Sequence, residues 1–259
     1  MLRASAGGYS PELGWTGDPH HIPLVIIAER ESEEAVDDDR FSATTWQTLG
    51  EHNDDVVKEI GAIVSRCPLP DRKWQDLLHV AARWHDAGKA HKIFQEAMLG
   101  NPPEADSTKV WGKTRHKRIV YQRKGFRHEL ASALAALKNH IPDLVAYLIA
   151  AHHGKVRLSI RSLPIEAIPD DPAVRFARGI WDGDVLRSVD LGGGHHLPET
   201  VLDLSCMDFG EGPTGPSWLA RMIALRDDPS LGPFRLAYLE VILRAADWRA
   251  SQRAGGNHV

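Results

Sequence analysis

The sequence predicts an all-α domain over residues 45–253, preceded by an irregular extension over residues 1–44. Two observations lead to this prediction. Along several segments of the later region, apolar residues recur at spacings of three and four, which is the period of one face of an α-helix. Between His153 and Pro233, by contrast, the chain is rich in glycine and proline. We therefore expect a long decorated insertion before the last helix.

Five segments show the helical period. In the first, Val56, Ile60 and Ile63 fall on one face. In the last, Pro233 suits a first-turn position, where its missing N–H costs nothing. The predicted helices run from Thr45 to Arg66, Asp71 to Ala87, His128 to His140, Pro142 to His153 and Pro233 to Gln252. Inside the insertion we expect a helix from Ser217 to Arg226 and a strand from Val201 to Phe209.

The first 44 residues carry only local signals. The apolar run from Pro23 to Ile27 predicts a short strand. The acidic stretch from Glu29 to Asp39 is typical of a solvated loop. The N-terminus lacks the apolar core of a signal peptide, so we expect no export.

The composition excludes several classes of protein. No apolar run approaches the roughly 20 residues of a membrane-spanning helix, so no membrane partner is expected. Cys67 and Cys206 lie too far apart in sequence to indicate a disulfide framework, which favours a cytoplasmic protein. The formal net charge is −4, so binding to nucleic acid would need a local basic surface.

Metal-competent side chains continue the apolar faces of the predicted helices near their ends. His85, for example, is in register with Leu78 and Ala81. Seven residues form this set: His52, His85, Asp86, His128, His152, His153 and Asp247. Ionisable groups are costly to bury unless they share a partner, and a metal ion bound by imidazoles and carboxylates would be such a partner.

The ordered set is far more specific than any one of its members. A chain this rich in both residues would contain roughly one His-Asp pair by chance. A lone histidine at a helix end is more often a cap or a satisfied core residue. The histidine pairs at 20–21 and 195–196 lie beside proline or glycine, and we expect them in surface loops.

Five motifs resemble a known family. They are WHDAGKAHKIFQ (Trp84–Gln95), FRHELAS (Phe126–Ser132), AHHG (Ala151–Gly154), RAADW (Arg244–Trp248) and His52 in LGEHNDDV. Together they resemble the HD nuclease domain of the type I CRISPR helicase-nuclease, over roughly residues 45–250. The resemblance implies an HD-domain helical fold with a two-metal site. It also implies single-stranded DNA as substrate, and a helicase and a guide-RNA effector complex as partners.

The resemblance also implies roles for individual residues. His52, His85, Asp86 and Asp247 would hold one ion, while Asp86, His128, His152 and His153 would hold the second. Asp86 would bridge the two ions, and Lys89 would sit near the scissile phosphate. A site this rich in imidazole favours two transition-metal ions such as Mn, Fe, Co or Ni over Mg, which prefers oxygen ligands.

The stretch from Lys109 to Arg127 is the candidate DNA-binding segment. Trp111, Tyr121 and Phe126 are interleaved with its cations, as in single-strand binding surfaces, and it contains no acidic residue. A solvated basic loop is the alternative interpretation. The candidate DNA-binding residues are Lys109, Lys113, Arg115, Lys117, Arg118, Arg123, Lys124 and Arg127.

Gly112-Lys113-Thr114 imitates the end of a nucleotide-binding loop. The glycine that such a loop needs five residues earlier is replaced by Ser107, and we expect no strand to lead into it. We therefore expect no ATP hydrolysis by this chain, and the helicase must lie on another chain or on a removed segment.

Two other functions remain open from the sequence. An HD phosphohydrolase acting on nucleotides or cyclic dinucleotides would share the metal site but would not need the basic stretch. A catalytically idle scaffold that only binds a partner would be expected to lose metal ligands, and none of the seven is lost here.

Overall fold

The structure is a computed structural model that describes residues 45–255, except 115–118 and 213. It also gives the backbone of two short strands near the N-terminus, β1 (Tyr9–Ser10) and β2 (Gly14–Trp15), which pair antiparallel. The chain divides into two units, Met1–Glu34 and Ala35–Val259. The strand and acidic loop expected over residues 23–39 lie outside the described residues.

The second unit is mainly helical. Its α-helices within the described residues are α1 (Leu49–Arg66), α2 (Arg72–Trp84), α3 (Lys92–Leu99), α4 (His128–Lys138), α5 (Asp143–Ala151), α6 (Trp218–Asp227) and α7 (Gly232–Ala254). Two short 3₁₀ helices cover Ala87–Ala90 and Ser205–Met207. No described helix is both long and apolar enough to cross a membrane.

Short antiparallel strand pairs lie in the segments that connect the helices. The remaining strands are β3 (Gln47–Thr48), β4 (Trp111–Lys113), β5 (Phe176–Ala177), β6 (Ile180–Trp181), β7 (Val185–Leu186), β8 (Val189–Gly192), β9 (His195–Leu197), β10 (Thr200–Val201), β11 (Glu211–Gly212) and β12 (Gly215–Pro216). They form antiparallel two-stranded sheets, in the order β3–β4, β5–β6, β7–β10, β8–β9 and β11–β12. This strand content makes the fold mainly helical rather than all-α.

The helices begin and end where local chemistry allows. The Thr48 hydroxyl accepts from the Glu51 amide, and the Glu51 carboxylate accepts from the Thr48 amide, so a capping box starts α1. α1 then packs against α2 and α7, while α4 packs against α5 and the 3₁₀ turn at Ala87–Ala90. The buried residues of these helices, among them Ile60, Leu78 and Leu148, form one core.

The predicted helices each overlap a helix of the structure, with ends that differ by a few residues. The strand expected from Val201 to Phe209 is wrong beyond Val201. There the Asp182 carboxylate accepts from the Leu204 amide and the Asp203 carboxylate accepts from the Ser205 amide, so the chain turns into a 3₁₀ helix.

The segment between α5 and α6 is tied to the helices by Asp184. Its carboxylate accepts a charged hydrogen bond from Arg123, lies 3.3 Å from His91 Nε2 and accepts from the Trp181 amide at 2.8 Å. Burial alone would raise the pKa of Asp184, but His91, Arg123 and that amide outweigh it and hold the pKa below its usual value.

Asp184→Asn should therefore destabilise the protein in a pH-dependent way. Hydrogen bonds to charged groups contribute about 2 kcal/mol, so we expect a loss of that order at pH 7. Because the folded-state pKa is lowered, the contribution is present above the unfolded pKa of about 3.9 and is lost as the pH falls through the folded value. Urea unfolding at pH values from 7 down to about 2 checks this, because the loss is expected below about pH 3.9. Asp208→Asn, at an exposed ion pair with Arg175, is the control. A pH-independent difference between Asp184→Asn and wild type would contradict the assignment.

Candidate metal centre

The core brings all seven predicted site residues together. His52 lies in the second turn of α1 and Asp247 near the end of α7, while His128 is the first residue of α4. His85 and His152 cap the C-terminal ends of α2 and α5, and each is followed by another member of the set. The whole set is buried, except that the Asp247 side chain is 13% exposed.

The seven residues form two groups of potential ligand atoms. One group is His52, His85 and Asp247, and the other is Asp86, His128, His152 and His153. Within each group the potential ligand atoms lie within 4.8 Å of one another, which is a spacing that one metal ion can span.

Asp86 connects the two groups through its two carboxylate oxygens. Oδ2 lies 3.3 Å from His85 Nε2 and 3.5 Å from His52 Nε2. Oδ1 lies 3.1 Å from His128 Nε2 and 4.0 Å from His152 Nε2. Each oxygen therefore faces a different group, as a carboxylate must do if it is to bridge two ions.

Backbone carbonyls fix the orientation of two imidazoles. His85 Nδ1 donates to the Ala82 carbonyl at 2.8 Å, and His152 Nδ1 donates to the Ile149 carbonyl at 2.6 Å. The Nε2 atom of each ring is buried and has no hydrogen-bond partner among the described residues. A histidine held through one nitrogen, with the other turned inward, is the arrangement of a metal ligand. The donor set therefore fits divalent cations.

The close packing of these ionisable side chains shifts their pKa values. Burial opposes ionisation of Asp86, but His85, Lys89 and His128 outweigh it and hold the Asp86 pKa well below its usual value. Burial also opposes protonation of His85, but Asp86 and Asp247 raise the His85 pKa to about 10. Burial and the nearby cation His85 lower the pKa of His152 to about 4. Ionised carboxylates at the centre therefore attract positive charge.

Lys89 extends the centre on the Asp86 side. It is fully buried, and its Nζ lies 2.9 Å from Asp86 Oδ2 and 3.1 Å from the Gly112 carbonyl oxygen. The 3₁₀ turn that carries Lys89 packs directly on α4. A Cβ atom added to Gly88 would lie 2.1 Å from the His128 carbonyl oxygen, so only glycine allows this approach.

The structure distributes the predicted DNA-binding residues unevenly. Lys109 and Lys124 are exposed and Arg127 is half-buried. Arg115, Lys117 and Arg118 lie outside the described residues. Arg123 is instead held internally, by Asp184, by the Gly179 carbonyl and by the face of Trp181.

The interleaved aromatic residues also pack inward. Trp111 contacts Trp46 and is 8% exposed, while Phe126 contacts His91 and is 3% exposed. Tyr121 packs on Phe94. The alternation of cations with aromatic residues therefore serves the core here, because long-range packing that a local pattern cannot show covers each ring.

Two buried residues, Lys113 and His91, have structural positions that the sequence did not predict. Lys113 is only 4% exposed and lies on β4, rather than on a solvated basic loop. His91 is also buried, caps α3 by accepting from the Ile93 amide, and contacts Asp184. The sequence carries no signal that separates Lys113 from the other cations of the basic stretch.

Buried histidines and aspartates at converging helix ends define an HD-type metal-dependent hydrolase. A family model described as "Cas3, HD domain" matches residues 38–174, which is more than half of the 259 residues. The chain therefore belongs to the family of the HD nuclease domain of type I CRISPR Cas3. No curated protein and no solved structure gives a significant match. The matched range includes Lys89 and the predicted ligands except Asp247, which the fold brings to the same centre.

Asp86→Asn should weaken metal binding at both groups. The amide keeps the shape of the carboxylate but loses its charge and one acceptor oxygen. We expect the affinity for Mn²⁺ to fall by more than about 100-fold, because loss of an outer partner alone costs 10- to 100-fold. Metal content after equilibrium dialysis checks this, with Asp76→Asn as the control, since the Asp76 side chain is 64% exposed. Wild-type metal content in Asp86→Asn would exclude a bridging role.

Proposed function

We propose that this protein is a metal-dependent nuclease that hydrolyses phosphodiester bonds of single-stranded DNA in CRISPR interference. A helicase on another chain or removed segment would supply the single strand, in the context of a guide-RNA effector complex. The observation that carries the proposal is the position of Asp86 between two groups of buried ligand atoms.

The proposed centre would hold two divalent ions. His52, His85, Asp86 and Asp247 would bind one, and Asp86, His128, His152 and His153 would bind the other. The preponderance of imidazole favours Mn, Fe, Co or Ni over Mg. When bound, such ions supply an activated water near neutral pH and neutralise charge that develops on the phosphate oxygens.

The chain's own residues position the reaction. The Ala82 and Ile149 carbonyls hold His85 and His152 with Nε2 turned toward the centre. Lys89 is fixed by Asp86 and the Gly112 carbonyl, so its ammonium needs no reorganisation to meet a non-bridging phosphate oxygen. Asp86 and Lys89 are therefore the residues to which we assign catalytic roles.

Arginines beside the second group favour a polyanionic substrate. Arg127 immediately precedes His128, and its amide donates to the Arg178 carbonyl at 2.9 Å. Burial, and after it the positive charge of Arg127, lowers the pKa of the Arg178 guanidinium. The carboxylates of Glu166 and Glu129 oppose this shift, and the smaller effect of Arg161 adds to it. The phosphates of a bound strand would stabilise the Arg127 and Arg178 guanidinium groups, whose positive charges repel each other.

Cleavage of a circular single-stranded DNA tests the activity. The metal-stripped protein is resupplied with Mn²⁺, Co²⁺, Ni²⁺ or Mg²⁺, beside Asp86→Asn treated in the same way. We expect degradation with a transition metal and none in the variant. A circle has no ends, so its loss also demonstrates endonuclease activity. If no metal supports cleavage of the circle, a cyclic dinucleotide offered to the same samples tests the nucleotide phosphohydrolase in its place.

Replacing Arg127 and Arg178 together by Gln should weaken binding to single-stranded DNA. The slope of log K against log salt is negative, and each lost phosphate contact reduces its magnitude by about 0.7. We therefore expect the magnitude of the slope to fall by up to about 1.4, measured by fluorescence anisotropy at several salt concentrations. Arg175→Gln is the matched control, because Arg175 is exposed and paired with Asp208. An unchanged slope in the double variant would place the strand elsewhere.

A further inference from the structure

The outward face of α7 is apolar along most of its length. Phe234 is 91% exposed and Val241 is 61% exposed, and Tyr238 and Trp248 on the same face are also exposed. Up to Trp248, Arg244 is the only charged residue among the exposed residues of this helix. Single exposed apolar side chains are common, but a continuous row of them on one helix indicates a surface that binds a partner.

This face differs from the outward faces of α1 and α2, where every exposed residue is polar or charged. Those residues are Glu51, Lys58, Ser65, Arg66, Arg72, Lys73 and Asp76. The opposite side of α7 packs into the core through Leu239, Ile242 and Leu243. A helix that is apolar on both sides is typical of a position buried on both sides. We therefore expect the outward face of α7 to be covered in the assembled protein.

The exposed row has the spacing of a seam between two helices. Phe234, Tyr238, Val241, Ala245 and Trp248 follow one another at alternating steps of four and three residues. This is the spacing of the residues that pack between paired helices. A row with this spacing stays on one side of α7 over about 21 Å of its length. The occupant that fits the row is therefore another helix that lies along α7.

The residues of the row complement one another across a two-fold axis at Val241. In an antiparallel pair of identical helices, residues at equal distances before and after the axis face each other. Phe234 and Trp248, each seven residues from Val241, would form an aromatic pair. Ala237 and Ala245, each four residues away, would let the two helices approach closely.

The single charge of the face also gains a partner in this arrangement. Tyr238 and Arg244 lie three residues before and after Val241, so each guanidinium would meet the Tyr238 ring of the other copy. A parallel arrangement would instead bring the two Arg244 side chains together, and repulsion between like charges disfavours that. The distribution of residue types therefore favours an antiparallel pair.

We propose that a second copy of this chain covers the outward face of α7, through an antiparallel, two-fold symmetric pairing of the two α7 helices centred on Val241. No residue of the face belongs to the predicted ligand set, so the inference goes beyond the proposed function and does not depend on it. An interface of this length is at the small end of specific protein interfaces, so we expect a dissociation constant on the order of 10 µM.

Sedimentation equilibrium of the full chain, over concentrations that bracket this value, compares wild type with Val241→Glu and Val241→Lys. Each variant places two like charges against each other at the axis, so we expect its dissociation constant to rise at least about tenfold. An equimolar mixture of the two variants should form dimers again, because Glu then faces Lys. Val120→Glu is the matched control, since Val120 is 71% exposed and lies outside α7. Phe234→Ser replaces either variant that does not fold, and it should also weaken the dimer.

The other outcomes overturn the proposal. A wild-type chain that stays monomeric at every concentration would show that another part of this chain or a different protein covers the face. A dimer that Val241→Glu leaves unchanged would lie on a different surface. Dimers that both variants weaken and their mixture does not restore would contradict an axis at Val241. Because the measurement involves neither metal nor DNA, its failure is distinguishable from a failure of the proposed function.

Discussion

The buried carboxylate of Asp86 is the group on which the centre depends. It is 1% exposed, yet histidines of both groups and Lys89 converge on its two oxygens. An ionised carboxylate is costly to bury, and only this convergence of positive charge makes its burial favourable. The helices that supply those partners must therefore meet at one point, so the electrostatics of one side chain constrain the packing of α1, α2, α4 and α5.

Helix ends, rather than helix interiors, supply the most constrained of the predicted ligands. The last carbonyls of a helix have no partner within the helix, and here those of Ala82 and Ile149 accept from the Nδ1 atoms of His85 and His152. The same helix ends carry partial negative charge, which favours nearby cations. The His-Asp and His-His motifs thus have the same arrangement. In each, a histidine at the helix C-cap turns its Nε2 toward the centre, and the next residue also reaches the centre.

This regularity explains which parts of the molecule the sequence could predict. Helical periodicity and the order of the motifs predicted the seven residues, because each lies within a helix or just after the end of one. Local patterns failed where a distant partner decides the outcome. Arg123 and Lys113 belong to the same basic stretch, yet Asp184, from the segment between α5 and α6, holds the first, and the second is buried on β4. The turn after Val201 likewise depends on Asp182, which lies far from it in sequence.

The segment between α5 and α6 is linked by hydrogen bonds to the surroundings of the centre. Asn53, next to His52, donates to the Arg83 carbonyl of α2 and to the Leu191 carbonyl of β8. Asp184 contacts His91, which caps the helix that follows the His-Asp-x-Gly-Lys turn. Both contacts are within a few residues of a predicted ligand, so a shift of the segment between α5 and α6 would strain the centre directly. The route from this segment to the predicted ligands is therefore short, and it runs through a few hydrogen bonds rather than through the whole core.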